Sequence, residues 1–288
     1  MFGWKEYKPE ISKLHELSTL LPYDFITGTM VPAMAVVAIC CTATYLVSLN
    51  VMEKYMVSQD GMEVRKRKMC YQITNVIFNI CVGLVGLYLE YRVLPTLSSF
   101  HGTILDRMSL DHEELYLVSA MQLGYQVWAI PVGLLHVGES TQMILHHWAV
   151  VISTSMSGFM TVGFRYYTPF FYGVMELSSL PLSFMNAFKD NPEWIKKYPG
   201  VYAFTRFLFA ACFLLIRVVF CATRWPPFLW TNFIFLYTRP LGWYKLYLVV
   251  QWSLAVFLAY LQLYWAFLII KGVYKVATQK QKVDKKDE

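Results

Sequence analysis

The chain has 288 residues, 57% of them hydrophobic and only 15% charged, with a net charge of +6. Soluble domains average about 45–50% apolar and about 25% charged residues, so a soluble core is excluded as the organising principle. The positive charge sits in short runs and in the last residues, without the continuous basic face that nucleic acid as a partner would need.

Residues 1–26 mix Lys5, Lys8 and Lys13 with Glu6, Glu10, Glu16 and Asp24 ahead of the first apolar run. A cleavable signal peptide has a basic start, a short apolar stretch and a small-residue cleavage site. The first apolar run is therefore expected to stay as an anchor. Crossing hydrocarbon takes about 20 predominantly apolar residues. Stretches of that kind recur at 27–50, 71–93, 114–135, 142–162, 168–187, 202–223 and 248–270. The predicted fold is all-α, a polytopic transmembrane helix bundle of about seven spans. Phe228 to Tyr237 is apolar but too short to cross alone, and Trp225, Trp230 and Trp243 beside it fit an aromatic belt. It reads as an interfacial or re-entrant segment.

Orientation follows from the basic residues. The first loop carries Lys54, Arg65, Lys66, Arg67 and Lys68, and the fifth carries Lys189, Lys196 and Lys197. The tail carries Lys271, Lys275, Lys280, Lys282, Lys285 and Lys286. Placing these three runs on the cytosolic side puts the C-terminus in the cytosol and the N-terminus outside. The end, Lys285-Lys286-Asp287-Glu288, resembles the dilysine retrieval signal of endoplasmic reticulum membrane proteins. It predicts residence in that membrane, with coat proteins as partners of the tail. The chain divides into residues 1–65 (N-terminal segment and first span), 66–275 (transmembrane domain) and 276–288 (basic cytosolic tail). Cys40, Cys41, Cys70, Cys81, Cys212 and Cys221 contain no CxxC pair, so neither a disulfide framework nor a zinc site is expected.

An ionisable side chain at the bilayer centre costs about 2.5–3.5 kcal/mol on insertion scales, which makes each one a candidate site. His146 and His147 open the fourth span. Adjacent helical residues point about 100° apart, so the two do not converge on one metal. Helical metal ligands stand at i and i+3 or i+4, and neither a metal nor a cofactor is expected. Glu139 stands seven residues before His146, at the helix end. Glu176 sits mid-span in Glu176-Leu177-Ser178-Ser179-Leu180-Pro181, with Ser179 and Ser183 on its face. It is read either as a structural glutamate that joins helices or as part of a ligand site. Arg206 and Arg217 are eleven residues apart, close to three turns, and are expected on one side of their helix. Either could pair with Glu176 or snorkel to an interface; snorkelling is the expectation for Arg206, near the cytosolic end, and Arg217 could equally snorkel toward the lumenal side.

The stretch from Ile144 to Lys189 resembles the TLC family, which includes ceramide synthases, TRAM translocon proteins and smaller TLC-domain proteins. His146-His147, Glu176-Leu177-Ser178-Ser179, Asn186 and Arg217 carry the resemblance in order and spacing. It implies a lipid-handling, TLC-like bundle around a central cavity. In ceramide synthases, the histidine pair and downstream aspartates support acyl transfer from acyl-CoA. Here the corresponding segment reads Tyr167-Thr168-Pro169-Phe170-Phe171-Tyr172-Gly173, and no Asp occurs between Asp111 and Asp190. The resemblance therefore points to a smaller TLC-domain protein that binds or distributes membrane lipid through His146, His147, Glu176, Ser179 and Arg217. The alternative is an acyl-CoA-dependent acyltransferase, with His146 or His147 as nucleophile or base and Glu176 beside it. A third reading is a receptor or translocon-associated factor that binds protein cargo.

Overall fold

The computed structural model describes residues 23–55, 62–97, 107, 110, 112–160, 164–238 and 242–284. The predicted tail signal at Lys285 and Lys286 lies outside the described residues. Every element among them is helical. Apolar surroundings leave backbone N–H and C=O groups no water, so the chain must satisfy them internally.

The first helix, α1 (Val31–Tyr55), follows a π-turn at Ile26–Met30. Next, α2 (Met62–Tyr88) continues through π-helix Leu89–Val93 and a short 3-10 turn, Leu94–Thr96, that holds Pro95. α3 (Glu113–Val132) continues as π-helix Gly133–Val137 and stops at Gly138, whose φ of 70° is the left-handed value glycine adopts without strain. α4 (Thr141–Phe159) begins at once, because the Ser140 hydroxyl accepts from the Met143 N–H and caps it.

The next stretch is broken. α5 (Thr168–Tyr172) gives way at Gly173 to a 3-10 helix, Val174–Ser178, before α6 (Ser179–Asp190) resumes. The short α7 (Pro192–Lys197) leads to α8 (Pro199–Cys212), extended by π-helix Phe213–Phe220 and 3-10 turn Cys221–Thr223. α9 (Trp225–Thr238) and the long α10 (Gly242–Asp284) complete the chain.

Five helical runs are long and apolar enough to cross a membrane: Tyr23–Lys54, Glu63–Thr96, Glu113–Val137, Pro199–Ile234 and Lys245–Lys275. The span expected at 202–223 runs on into most of the segment read as interfacial, so that the two form one helical run. The spans expected at 142–162 and 168–187 fall on α4 and on α5–α6. Histidine, serine and threonine lower the hydropathy of α4, and the 3-10 stretch interrupts the other. The two least apolar stretches carry most of the candidate site.

The bundle has two recognisable ends. At one, Lys68 meets Asp190 at 3.4 Å and Arg65 meets Glu193 at 3.4 Å, so the start of α2 adjoins the end of α6 and α7. At the other, Arg224 is hydrogen-bonded to Glu90 and Arg165 donates to the Leu110 carbonyl at 3.4 Å. Phe25, ahead of α1, stacks edge-on with Tyr116 early in α3, while Tyr45 reaches Trp128 near the other end of α3. On α10, Tyr247 and Leu248 pack in a cluster with Met160 and Phe164, whereas Trp265 meets His146. Thus α1, α2, α3, α4, α5–α6, α8 and α10 run between the ends in alternating directions.

Small residues set the closest approaches. A Cβ on Gly86 would lie 2.6 Å from the Gly173 Cα and 2.7 Å from the Pro169 carbonyl oxygen. Backbone therefore packs on backbone where α2 passes the break between α5 and α6. One on Gly124 of α3 would lie 2.4 Å from the Met34 carbonyl oxygen of α1. Such small-residue crossings are how membrane helices gain van der Waals contact without a hydrophobic driving force. Ile39, Phe204, Phe207, Leu263 and Phe267 face outward, as lipid contact requires.

Candidate functional site

An open-mouthed cavity of about 50 Å³ lies among α4, α5, α8, α9, α10 and the 3-10 turn. His146, Glu176, Arg217, Gln251 and Gln262 supply polar groups to its wall, with Val150, Phe171, Met175, Phe228, Ala255 and Leu258 between them.

The 3-10 turn at Val174–Ser178 forms the centre of the polar wall. It tightens the chain so that Glu176, Ser178 and Ser179 all come within reach of the bundle interior. The Glu176 carboxylate accepts from Gln122 Nε2 at 3.1 Å and from the Ser179 hydroxyl at 3.0 Å. Arg217 Nη2 lies 3.7 Å from Glu176 Oε2, an ion pair in which the arginine is buried and the glutamate part-buried. Arg217 is 8% exposed, and its donors are widely used. Nε donates to Ser178 Oγ at 2.6 Å, Nη2 to Ser179 Oγ at 3.0 Å and to the Met175 carbonyl at 3.3 Å, and Nη1 to Gln262 Oε1 at 3.4 Å. A guanidinium in this setting needs that many acceptors, since an ion pair alone rarely offsets its lost hydration. Gln122 also donates to the Tyr172 carbonyl at 3.2 Å, which ties α3 to the break.

The two histidines separate as their spacing requires. His146 lines the cavity and meets the edge of Trp265, with ring centroids 5.7 Å apart. Its Nδ1 is buried with no hydrogen-bond partner among the described residues. His147 points back into the bundle, where its Nδ1 bonds Gln126 Oε1 at 2.7 Å. Glu176 is hydrogen-bonded to neither imidazole. Gln126 bonds His147, Trp265 and Tyr125 supply ring contacts, and among the described residues no carboxylate is hydrogen-bonded to either imidazole.

Arg206 and Arg217 do not share a face. Arg206 is exposed beside the Tyr202 ring, 5.7 Å from its centroid, while Arg217 is interior. The cause is the π-helix at Phe213–Phe220. Its wider turn takes more residues per rotation, so eleven residues no longer make three full turns. Ser183 is buried on α6, one turn beyond Ser179.

Sequence reasoning missed the glutamines. Gln122, Gln251 and Gln262 are at most 3% exposed, and each stands inside an apolar run. That was a legible signal, because an amide in hydrocarbon needs partners as a charge does. Gln251 and Gln262 are eleven residues apart on an uninterrupted helix, which places them on one face. Among the described residues no three His, Cys, Asp or Glu side chains are placed to hold a metal.

The family model described as TLC domain matches residues 68–271. The chain belongs to the TLC-domain family. No curated protein and no solved structure matches it. The TLC match begins in α2 and ends in α10, and takes in every residue of the cavity wall. TLC membership and the helical runs together make this a multi-pass membrane protein, and the family suggests a function related to membrane lipid.

Proposed function

We propose that this TLC-domain protein binds a membrane lipid in the cavity beside Glu176 and Arg217, and through that binding influences membrane lipid composition. The observation that carries the reading is the cavity itself: a mostly apolar, open-mouthed cleft inside a membrane bundle, with a fixed polar wall to set orientation. Tyr167–Gly173, the segment in which ceramide synthases carry aspartates, contributes Phe171 and Tyr172 to that wall, which supports binding rather than synthase chemistry. The reading has all seven end-to-end stretches crossing the endoplasmic reticulum membrane. The end with Arg65, Lys68 and the C-terminus is then cytosolic, and coat proteins engage Lys285 and Lys286.

The test is purification in mild detergent followed by lipid mass spectrometry, paired with lipid profiling of cells lacking the protein. One lipid class enriched over the bulk extract and depleted by Arg217→Met is expected, with a shifted cellular lipid profile. Only annular lipid, together with an unchanged profile, refutes the proposal.

His146 favours a second reading, acyl transfer from acyl-CoA, because its Nδ1 is unpartnered on a cavity wall. Incubation with mixed acyl-CoAs would then give an acyl adduct by intact mass that His146→Ala abolishes and His147→Ala retains. The same adduct in both variants removes His146 as nucleophile.

A further inference from the structure

The proposed lipid cavity has a second polar position, remote from the ion pair. Gln251 on α10 is 3% exposed and lies on the cavity wall, and its Oε1 has no hydrogen-bond partner among the described residues. Along the helix axis it stands about 16 Å from Gln262, at 1.5 Å per residue. Ala255 and Leu258 line the cavity between the two. Buried polar atoms in native structures are nearly always paired, and one left unpaired at a cavity wall calls for a partner from outside the chain. A side-chain amide oxygen only accepts, so that partner must bring an O–H or N–H.

The charges on the wall narrow the choice. Arg217 already donates to Ser178, Ser179, Met175 and Gln262, and Glu176 already accepts from Gln122 and Ser179. A phosphate at Gln251 would be remote from the guanidinium, and one at the other end would meet the Glu176 carboxylate and have to displace bonds already made to reach Arg217. A cationic head would face Arg217. Either charge would be desolvated without compensation.

Resting on the lipid-binding reading, we infer that the occupant is an uncharged lipid whose head donates an O–H or N–H hydrogen bond to Gln251. Diacylglycerols, sterols and N-acyl lipids share that chemistry; phospholipids do not.

The experiment is photolabelling of the full-length protein in detergent with a diazirine diacylglycerol, with labelled peptides read by mass spectrometry. Competitors are unlabelled diacylglycerol, its O-methyl ether, a sterol, a ceramide, phosphatidylcholine and phosphatidate. Wild-type protein is expected to be labelled on cavity peptides, with the alcohol competing several-fold better than its ether; one hydrogen bond corresponds to roughly a two- to tenfold preference. Gln251→Met, which keeps the volume and removes the acceptor, should erase that preference. The ranking of sterol, ceramide and diacylglycerol then names the source of the donor.

Equal competition by alcohol and ether on the wild-type protein overturns the inference without recourse to any variant. So does an unchanged preference in Gln251→Met. Stronger competition by phosphatidate or phosphatidylcholine also overturns it, but leaves a lipid-binding cavity standing. No cavity labelling by the probe, with none of the competitors recovered bound, brings down both readings.

Discussion

Arg217 holds a full charge inside the bundle and is surrounded by acceptors from three elements: Ser178, Ser179 and Met175 near the helix break, and Gln262 on α10. Removing it leaves the Glu176 carboxylate with only Gln122 and Ser179, both neutral. Breaking a buried pair from one side costs about 3–5 kcal/mol, whereas replacing both partners with apolar groups is often close to neutral. Arg217→Met should therefore lower the melting temperature in detergent markedly. Adding Glu176→Leu should recover part of the loss, so that the double variant is more stable than Arg217→Met alone. Strictly additive losses in that cycle would show that the two residues do not interact. The histidines give a second contrast at this scale. His147→Ala removes the partner of Gln126 in a packed interior and should destabilise by about 1–3 kcal/mol. His146→Ala removes a ring from the cavity wall, and should change lipid occupancy more than thermal stability. If both variants melt alike and retain lipid alike, the assignment of one ring to the core and the other to the cavity fails.

At the scale of elements, the site depends on how closely α2 can approach the break between α5 and α6. Gly86 faces Gly173 and Val174 through backbone atoms, which cannot move without displacing the turn that holds Glu176 and Ser178. Gly83, one turn earlier on the same helix, would place its Cβ 2.3 Å from Leu177 Cδ2, the tip of a flexible side chain. Gly86→Ala should therefore cost about 1–3 kcal/mol, as overpacking does, and release bound lipid. Gly83→Ala should cost less, because a rotamer change of Leu177 makes room. Equal losses in thermal melts of the two variants would contradict the close backbone approach. The same elements show what the sequence could and could not disclose. Apolar runs of span length made α1, α2, α3 and α10 legible, since length and hydropathy alone decide them. The break at Gly173 was not read, although Pro169, Gly173 and Pro181 were visible, because hydropathy carries no record of helix type. Arg217 was legible as a candidate but its face was not. A π-helix changes residues per turn through backbone hydrogen bonding, and no residue pattern in Phe213–Phe220 announces it. Glu176 and Ser179 lay one turn apart in the sequence and meet in the structure, whereas Ser178 and Gln262 enter only through tertiary packing.

For the whole molecule, the ion pairs at the two ends give a topology that can be tested independently of lipid. Lys68–Asp190 and Arg65–Glu193 join the start of α2 to the end of α6 and to α7. Glu113 and Glu114 open α3 from the opposite end, the end where Glu90 meets Arg224. If basic residues mark the cytosolic face, exposed positions at the first end must share one side of the membrane and those at the second end the other. Single cysteines at Glu63, Glu193 and Glu114, placed in a chain whose native cysteines are replaced by alanine, read this directly. In membrane vesicles with the cytosolic face outward, a membrane-impermeant maleimide should label Glu63→Cys and Glu193→Cys at once. Glu114→Cys should react only after the vesicles are permeabilised. The pair Glu63 and Glu193 is the stringent part of the test. Their residues are 130 positions apart in sequence, and α2, α3, α4 and α5–α6 lie between them. They can share a side only if an even number of crossings separates them, so α4 and the broken α5–α6 must either both cross or both fail to. Labelling of Glu193→Cys from the opposite side to Glu63→Cys would mean that just one of those two polar stretches crosses. A site built on both of them could not then have its present orientation in the membrane.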